Sequence, residues 1–242
     1  MGSSTIPGPL GADFLTLDIE DGTFARMLSP VPGPVGIMQT PTMTALTAAP
    51  MNLTWEQIKL DMAEHEALIK YLYLDSVNKV TVGVGNMLAT LADAQALPFV
   101  LRARPTQAAA AADIKGDWDH VNEHASKNMR ASAFAKHTLL DLPEDICWDM
   151  LKKRIDNEFL PGLKRLYADW DKFPVPAKRG LLDMAYNLGL TGIRKFKTFN
   201  AHVEKADWDK AAGTCTRLGI SAERNEWTRT RFNDALPPKV QP

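Results

Sequence analysis

Cysteine is nearly absent. Two thiols in 242 residues, Cys147 and Cys215, exclude a disulfide scaffold, and no Cys/His spacing forms a zinc site. Both are expected to be buried thiols of a protein made in a reducing compartment. No apolar run approaches the roughly 18 residues of a membrane-spanning helix, so no membrane insertion is expected. The stretch Met1–Leu10 has no basic region followed by an apolar one, so no secretory signal is expected and synthesis is placed in the cytoplasm. Charge of one sign is also missing: 28 Lys and Arg against 29 Asp and Glu give a net charge of -1. With 45% hydrophobic and 24% charged residues a disordered chain is excluded. The length fits one medium domain with appendages, or two small lobes sharing a core.

The even total hides an asymmetry. Residues 1–144 carry 10 basic and 16 acidic side chains, whereas residues 145–242 carry 18 and 13. A basic C-terminal half suits an anionic polymer such as nucleic acid or cell wall, and suits a solvated mixed-charge surface equally well. Residues 1–52 read as a Pro/Gly-rich tail or linker, with a short ordered piece around Phe14–Phe24. Residues 53–88 read as a helix followed by a hairpin. Thr54 and Gln57 have capping-box spacing, and Trp55, Ile58, Met62, Ile69 and Leu72 recur at roughly helical spacing, with the helix giving way near Tyr71. Ser76–Lys79 supply turn residues, and Val80–Gly85 is a β-branched strand punctuated by glycine. Residues 89–136 are Ala-rich and expected to be a mostly helical insertion. Residues 137–242 read as helix after helix, with a break at Pro161-Gly162 and a helix over Ala177–Leu188 closed by Gly189. The expected class is α+β, mainly helical with one small antiparallel sheet.

The chemistry-bearing candidates are Glu66 near the end of the first helix, Asp75 on the hairpin and Thr81 on the returning strand. Folding the hairpin beside the helix end brings two carboxylates and a hydroxyl around one cleft. Glycosidic hydrolysis needs two carboxylates in different surroundings, one as acid and one ionised. Three unrelated surface polar residues are the competing reading.

The stretch Glu66-Ala67-Leu68-Ile69-Lys70-Tyr71-Leu72-Tyr73-Leu74-Asp75, followed by Thr81-Val82-Gly83-Val84-Gly85, resembles the active-site segment of the T-even phage lysozymes, glycoside hydrolase family 24. A second block, Ala177–Gly189 with its closing Gly189-Leu190-Thr191-Gly192 turn, resembles that family's central helix. Phe196, Trp208–Ala212, Arg224 and Phe232 continue in register. The resemblance spans residues 53–88 and about 138–236. It implies a lysozyme-like fold and a peptidoglycan hydrolase cutting the β-1,4 bond between N-acetylmuramic acid and N-acetylglucosamine. In that reading Glu66 is the general acid, Asp75 the base or electrostatic partner of the attacking water, and Thr81 helps place the water. Inversion then asks for carboxyl groups about 6.5–9.5 Å apart. Met87, Tyr186, Phe199 and Thr214 align with saccharide contacts, although Phe199 and Thr214 replace the polar residues usual there. Asn86 replaces a frequent histidine, and residues 89–136 are much longer than the family's corresponding inter-lobe segment and do not align with it.

No cofactor or metal is implied. His120 and His124 stand one helical turn apart without a third ligand, and read as a solvated helix face. His65 points away from its neighbour Glu66 on a helix. Gly83 and Gly85 lack the following Lys and Ser/Thr of a phosphate loop, and read as sites of close backbone packing or substrate approach. Expected partners are peptidoglycan and, through the insertion, an immunity protein, chaperone or secretion carrier. No nucleic acid is expected, and the chain is expected to be monomeric. Two delivery routes remain open: a phage endolysin, or an antibacterial toxin such as a type VI secretion effector acting in the periplasm. The alternative is a non-catalytic cell-wall-binding or structural module on the same fold.

Overall fold

The structure, a computed structural model, describes residues 52–125 and 129–237. The tail expected over residues 1–52, with its ordered piece around Phe14–Phe24, lies outside the described residues apart from Asn52.

The first helix, α1 (Trp55–His65), starts at the expected capping box. The Thr54 hydroxyl accepts from the Gln57 amide, and the Gln57 side chain accepts from the Thr54 amide. It ends six residues sooner than the apolar spacing suggests, because Glu66 is already extended (φ -122°, ψ 134°). The run Ile69–Leu74 instead forms β1, as alternating β-branched and aromatic residues favour. Strand β2 (Val80–Gly83) pairs antiparallel with β1, and β3 (Asn86–Met87) completes the sheet in the order β1-β2-β3. Register sets Tyr73 opposite Thr81 and Thr81 opposite Met87.

Residues 89–136 depart from the helical expectation. They hold α2 (Leu91–Gln95), β4 (Val100–Leu101), β5 (Arg104–Ala108), α3 (Ala111–Asn122) and most of a 3-10 helix (Ala131–His137). With β6 (Leu140–Asp141) the strands form a second antiparallel sheet in the order β5-β4-β6. Alanine carries little strand preference, yet the Ala108 end of β5 is held by pairing with Val100; tertiary pairing overrides composition. Arg102 ties this region together. Its guanidinium donates to the carbonyls of Ala135, Thr138 and Leu140, and to the Asp141 carboxylate.

Helix α4 (Glu144–Arg154) runs through a π-helical turn (Ile155–Phe159) into α5 (Leu160–Leu166). The break expected at Pro161-Gly162 does not occur. Proline cannot donate to the carbonyl four residues back and its ring crowds that turn, and the wider π turn just ahead accommodates it. Gly162 is required by packing, since a Cβ there would lie 2.3 Å from Leu190. Helix α6 (Val175–Ile193) contains the expected closure, with Gly189 at φ +71° dividing it. Helices α7 (Lys197–Val203), α8 (Trp208–Thr214) and α9 (Ala222–Asn233) follow, with α9 packed on both α6 and α8.

The chain is therefore α+β and mainly helical, with two small sheets among the described residues where one was expected. Two hydrophobic cores lie side by side. One gathers Leu72, Val82, Phe99, Val121 and Phe134 from the sheets and insertion, and the other gathers Met62, Leu151, Phe159, Leu181 and Phe232 from the helices. The helix running through α4 into α5 supplies Cys147 to the first and Leu151 to the second. Among the described residues no helix is long and apolar enough to cross a membrane.

Candidate active site

Helix α1 is pinned to α6 by a two-pronged ion pair. Asp61, buried on α1, accepts from Arg179 Nε at 2.8 Å on one oxygen and from Nη2 on the other. This fixes the C-terminal end of α1, where Glu66 leaves the helix. Glu66 Oε1 lies 2.7 Å from Arg224 Nη2, and the Glu66 side chain is 24% exposed. The same Arg224 nitrogen is 2.7 Å from Asp183 Oδ1 on α6, and Arg224 Nε donates to that oxygen at 2.9 Å. Burial opposes the charge of Arg224, but the Asp183 and Glu66 carboxylates outweigh it and raise its proton affinity.

The second carboxylate sits in the β1–β2 turn. Asp75 Oδ1 accepts from the amides of Val77 and Lys79 at 2.9 and 2.8 Å, as turn aspartates do. Thr81 is buried, and its hydroxyl donates to the Lys79 carbonyl at 3.0 Å, which leaves its oxygen as an acceptor.

Tyr73 joins the two carboxylates electrostatically. Its hydroxyl is pushed up to about 12, first by burial, then by Asp75 and then by Glu66. Both carboxylates act on one phenol, itself opposite Thr81. Tyr186 lies in the same neighbourhood. Burial raises its proton affinity, Arg154 opposes, and Glu66 and Tyr73 add to the rise.

The glycine-rich strand end explains how the hairpin is held. Gly83 and Gly85 both have positive φ, and a Cβ would lie 3.2 Å from Cys147 Cβ at the first and 3.2 Å from the Tyr186 hydroxyl at the second. Both are sites of close packing, one of the two roles read from the sequence. The Tyr186 hydroxyl donates to the Val84 carbonyl and Arg154 to the Gly85 carbonyl, so helices α6 and α4 grip the turn after β2. Beside Asp75 opens a cavity of about 520 Å³, lined by Tyr73, Asp75, Ser76 and Asn78 of the hairpin and by His124 and Arg130 of the insertion.

The structure therefore places Glu66 at the end of α1, Asp75 in the turn after β1, and Thr81 opposite Tyr73 across the strand pair. Met87 is exposed on β3, opposite Thr81. Phe199 departs from its expected role in saccharide contact. It is 1% exposed, with its ring edge-on to Phe232 at 5.3 Å, and is a core side chain that no solute reaches. Thr214, at the end of α8, donates its hydroxyl back to the Lys210 carbonyl. His65 is set edge-on against Trp227. Burial pushes the Cys147 thiol up to about 12 and the Cys215 thiol upward as well. His124 Nδ1 meets the His120 carbonyl, and among the described residues no group of three or more His, Cys, Asp or Glu could hold a metal ion.

Sequence reading overlooked Asp183, Arg217, Tyr73 and Arg154, and did not place Arg224 beside Glu66. One signal was available: Asp183 interrupts the apolar run Leu181-Leu182-Asp183-Met184-Ala185, and a carboxylate on a buried helix face needs a cationic partner.

No protein-family model matches this chain, and no curated protein matches it at a significant level of similarity. What the arrangement offers chemically rests on its own residues: a partly exposed carboxyl held from one side by an arginine, a second carboxyl in the turn after β1, and an open cavity beside the second.

Proposed function

We propose that this protein is a peptidoglycan muramidase. It would cleave the β-1,4 bond between N-acetylmuramic acid and N-acetylglucosamine, with Glu66 as general acid and Asp75 and Thr81 placing the attacking water. The supporting observation is a partly exposed Glu66 held by Arg224 at the end of α1, together with Asp75 fixed by two amides in the turn after β1 beside an open cavity. Two carboxyl groups in unlike surroundings suit an acid and a water-activating base. Glu66 is held on one oxygen only, so its other oxygen is available to a leaving group. Asp75 is held by two amides, which orient it without covering it. Tyr186 and exposed Met87 supply the adjoining surface for a sugar, and the cavity beside Asp75 accepts a further part of the polymer. The basic C-terminal half favours an anionic wall polymer. Delivery as a phage endolysin or as a secreted antibacterial effector is compatible with the same chemistry, the insertion being the element to which an immunity protein or carrier would dock.

The test is muropeptide release from purified sacculi by the native chain and by Glu66→Gln, read by mass and reducing ends. Fragments with reducing-end muramic acid, reduced at least a hundredfold by Glu66→Gln, are expected. Sacculi bound but left uncut by the native chain would overturn the reading in favour of a wall-binding module.

A further inference from the structure

Behind the Glu66–Arg224 pair lies a second, wholly buried one. Arg217 has a side-chain exposure of 0% and Asp183 of 2%, and Arg217 Nη2 stands 2.8 Å from Asp183 Oδ2. Thr228 connects them, donating to Asp183 Oδ2 at 2.9 Å and accepting from Arg217 Nη2 at 2.7 Å. Asn225 clamps the Arg217 backbone from both sides, accepting from its amide and donating to its carbonyl, each at 3.0 Å. Glu66, Arg224, Asp183 and Arg217 thus form a line of alternating charge running from a partly exposed carboxylate to the core.

We infer that Asp183 and Arg217 are positioning residues that set the protonation of Glu66 through Arg224. The inference rests on the muramidase reading only for its kinetic readout. A buried ion pair adds little stability compared with apolar packing, and Arg217 Nε and Nη1 have no hydrogen-bond partner among the described residues. The pair instead balances the row. Without Arg217, Glu66 and Asp183 would share the single charge of Arg224. Without Asp183, Glu66 would face two uncompensated cations. The other charged or titratable groups around Glu66 are Asp75 and Tyr73 on the hairpin, Tyr186 on α6 with Arg154 behind it on α4, and His65 on α1, whose carbonyl accepts from Arg224 Nη1. None of them lies in the buried row.

Two oxygens that share Arg224 Nη2 at 2.7 Å each are at most about 5.4 Å apart. Removing a charge at that distance moves a titration by about two pH units inside a protein, and the partial exposure of Glu66 reduces this to about one. Asp183→Asn is therefore expected to move the alkaline limb of the pH–activity profile down by about one unit. Arg217→Met, one contact further away, moves it up by about half a unit, while Arg217→Lys, which keeps the charge, leaves it in place. The neutral pair Asp183→Asn/Arg217→Met lies between the two, about half a unit below the native chain.

The test titrates the Glu66 side-chain carboxyl by carbon-13 NMR in the full chain and these variants, alongside the pH profile of sacculus cleavage. Opposite shifts for the two single variants support the inference. So does a single shift reversed in the double variant, the comparison to use where Asp183→Asn alone does not fold. Titrations that stay within 0.2 unit of native, or that move the same way in both single variants, overturn it whatever the activity. Opposite carboxyl shifts in a chain that cuts no sacculi would uphold the charge row and sink the muramidase reading. Cleavage with unmoved titrations would do the reverse.

Discussion

Replacing Arg224 by Gln is the perturbation whose magnitude follows most directly from the geometry. Arg224 is 11% exposed and lies 2.7 Å from each of two carboxylates, of which Asp183 is 2% exposed and Glu66 24%. After the substitution, water can reach Glu66 and replace the lost contact. Asp183 is different: its Oδ1 loses both arginine nitrogens while its charge stays in the core, compensated only by Arg217 and Thr228 on Oδ2. Breaking one side of a buried pair costs about 3–5 kcal/mol. The surviving partners set the expectation at the lower end, about 3 kcal/mol, or a fall in Tm of about 6–12 °C for a domain of this size. Urea unfolding followed by tryptophan fluorescence measures it. Because the pair is shielded from solvent, the loss is expected to persist in about 0.5 M salt. Arg224→Lys, which keeps the charge and loses the forked geometry, is expected to recover about half. The exposed pair of Lys115 and Asp119 is the control, and Lys115→Gln is expected to cost under about 0.5 kcal/mol. A loss below about 1 kcal/mol for Arg224→Gln, or one that salt abolishes, would refute the reasoning.

Two further predictions concern the hairpin and the insertion. Tyr73, whose hydroxyl is pushed up from 10.0 to about 12, keeps its proton when folded at pH values where the unfolded chain has lost it. Stability present below pH 10 is therefore lost as pH rises through 12, by about 2–3 kcal/mol from this group. Urea midpoints at pH 9 and 11.5 are expected to differ less in Tyr73→Phe than in the native chain, and equal differences would count against a buried Tyr73. Arg102→Ala removes the donor that joins Ala135, Thr138, Leu140 and Asp141 to β4, with an expected cost of about 2–4 kcal/mol. Hydrogen exchange should rise at least tenfold over residues 99–141 and stay unchanged in α6. A rise spread evenly over the chain would show that Arg102 is not a local clamp.

The parts legible in the sequence are those governed by a few neighbouring residues. The Thr54–Gln57 capping box, the turn at Ser76–Lys79, strand β2 and the helix closure at Gly189 each depend on backbone preferences or hydrogen bonds reaching no more than about four residues, and each stands where local chemistry puts it. The hairpin carrying Asp75 and the strand carrying Thr81 were likewise legible, whereas the helix end at Glu66 comes six residues before the apolar spacing puts it. Burial and long-range partners were not legible. The Ala-rich insertion takes strands because Val100 finds Ala108 and Asp141 as neighbours. Helix α4 continues past Pro161 because a π turn relieves the clash. Phe199 sits in the core against Phe232 from α9 instead of facing a cleft. The row from Glu66 to Arg217 draws on α1, α6, α9 and the loop before α9, segments up to 158 positions apart. A local pattern can require that a carboxylate such as Asp183 have a partner. Which arginine answers is decided only when the helices pack, since a charge excluded from water is satisfied by whatever the fold brings within about 3 Å.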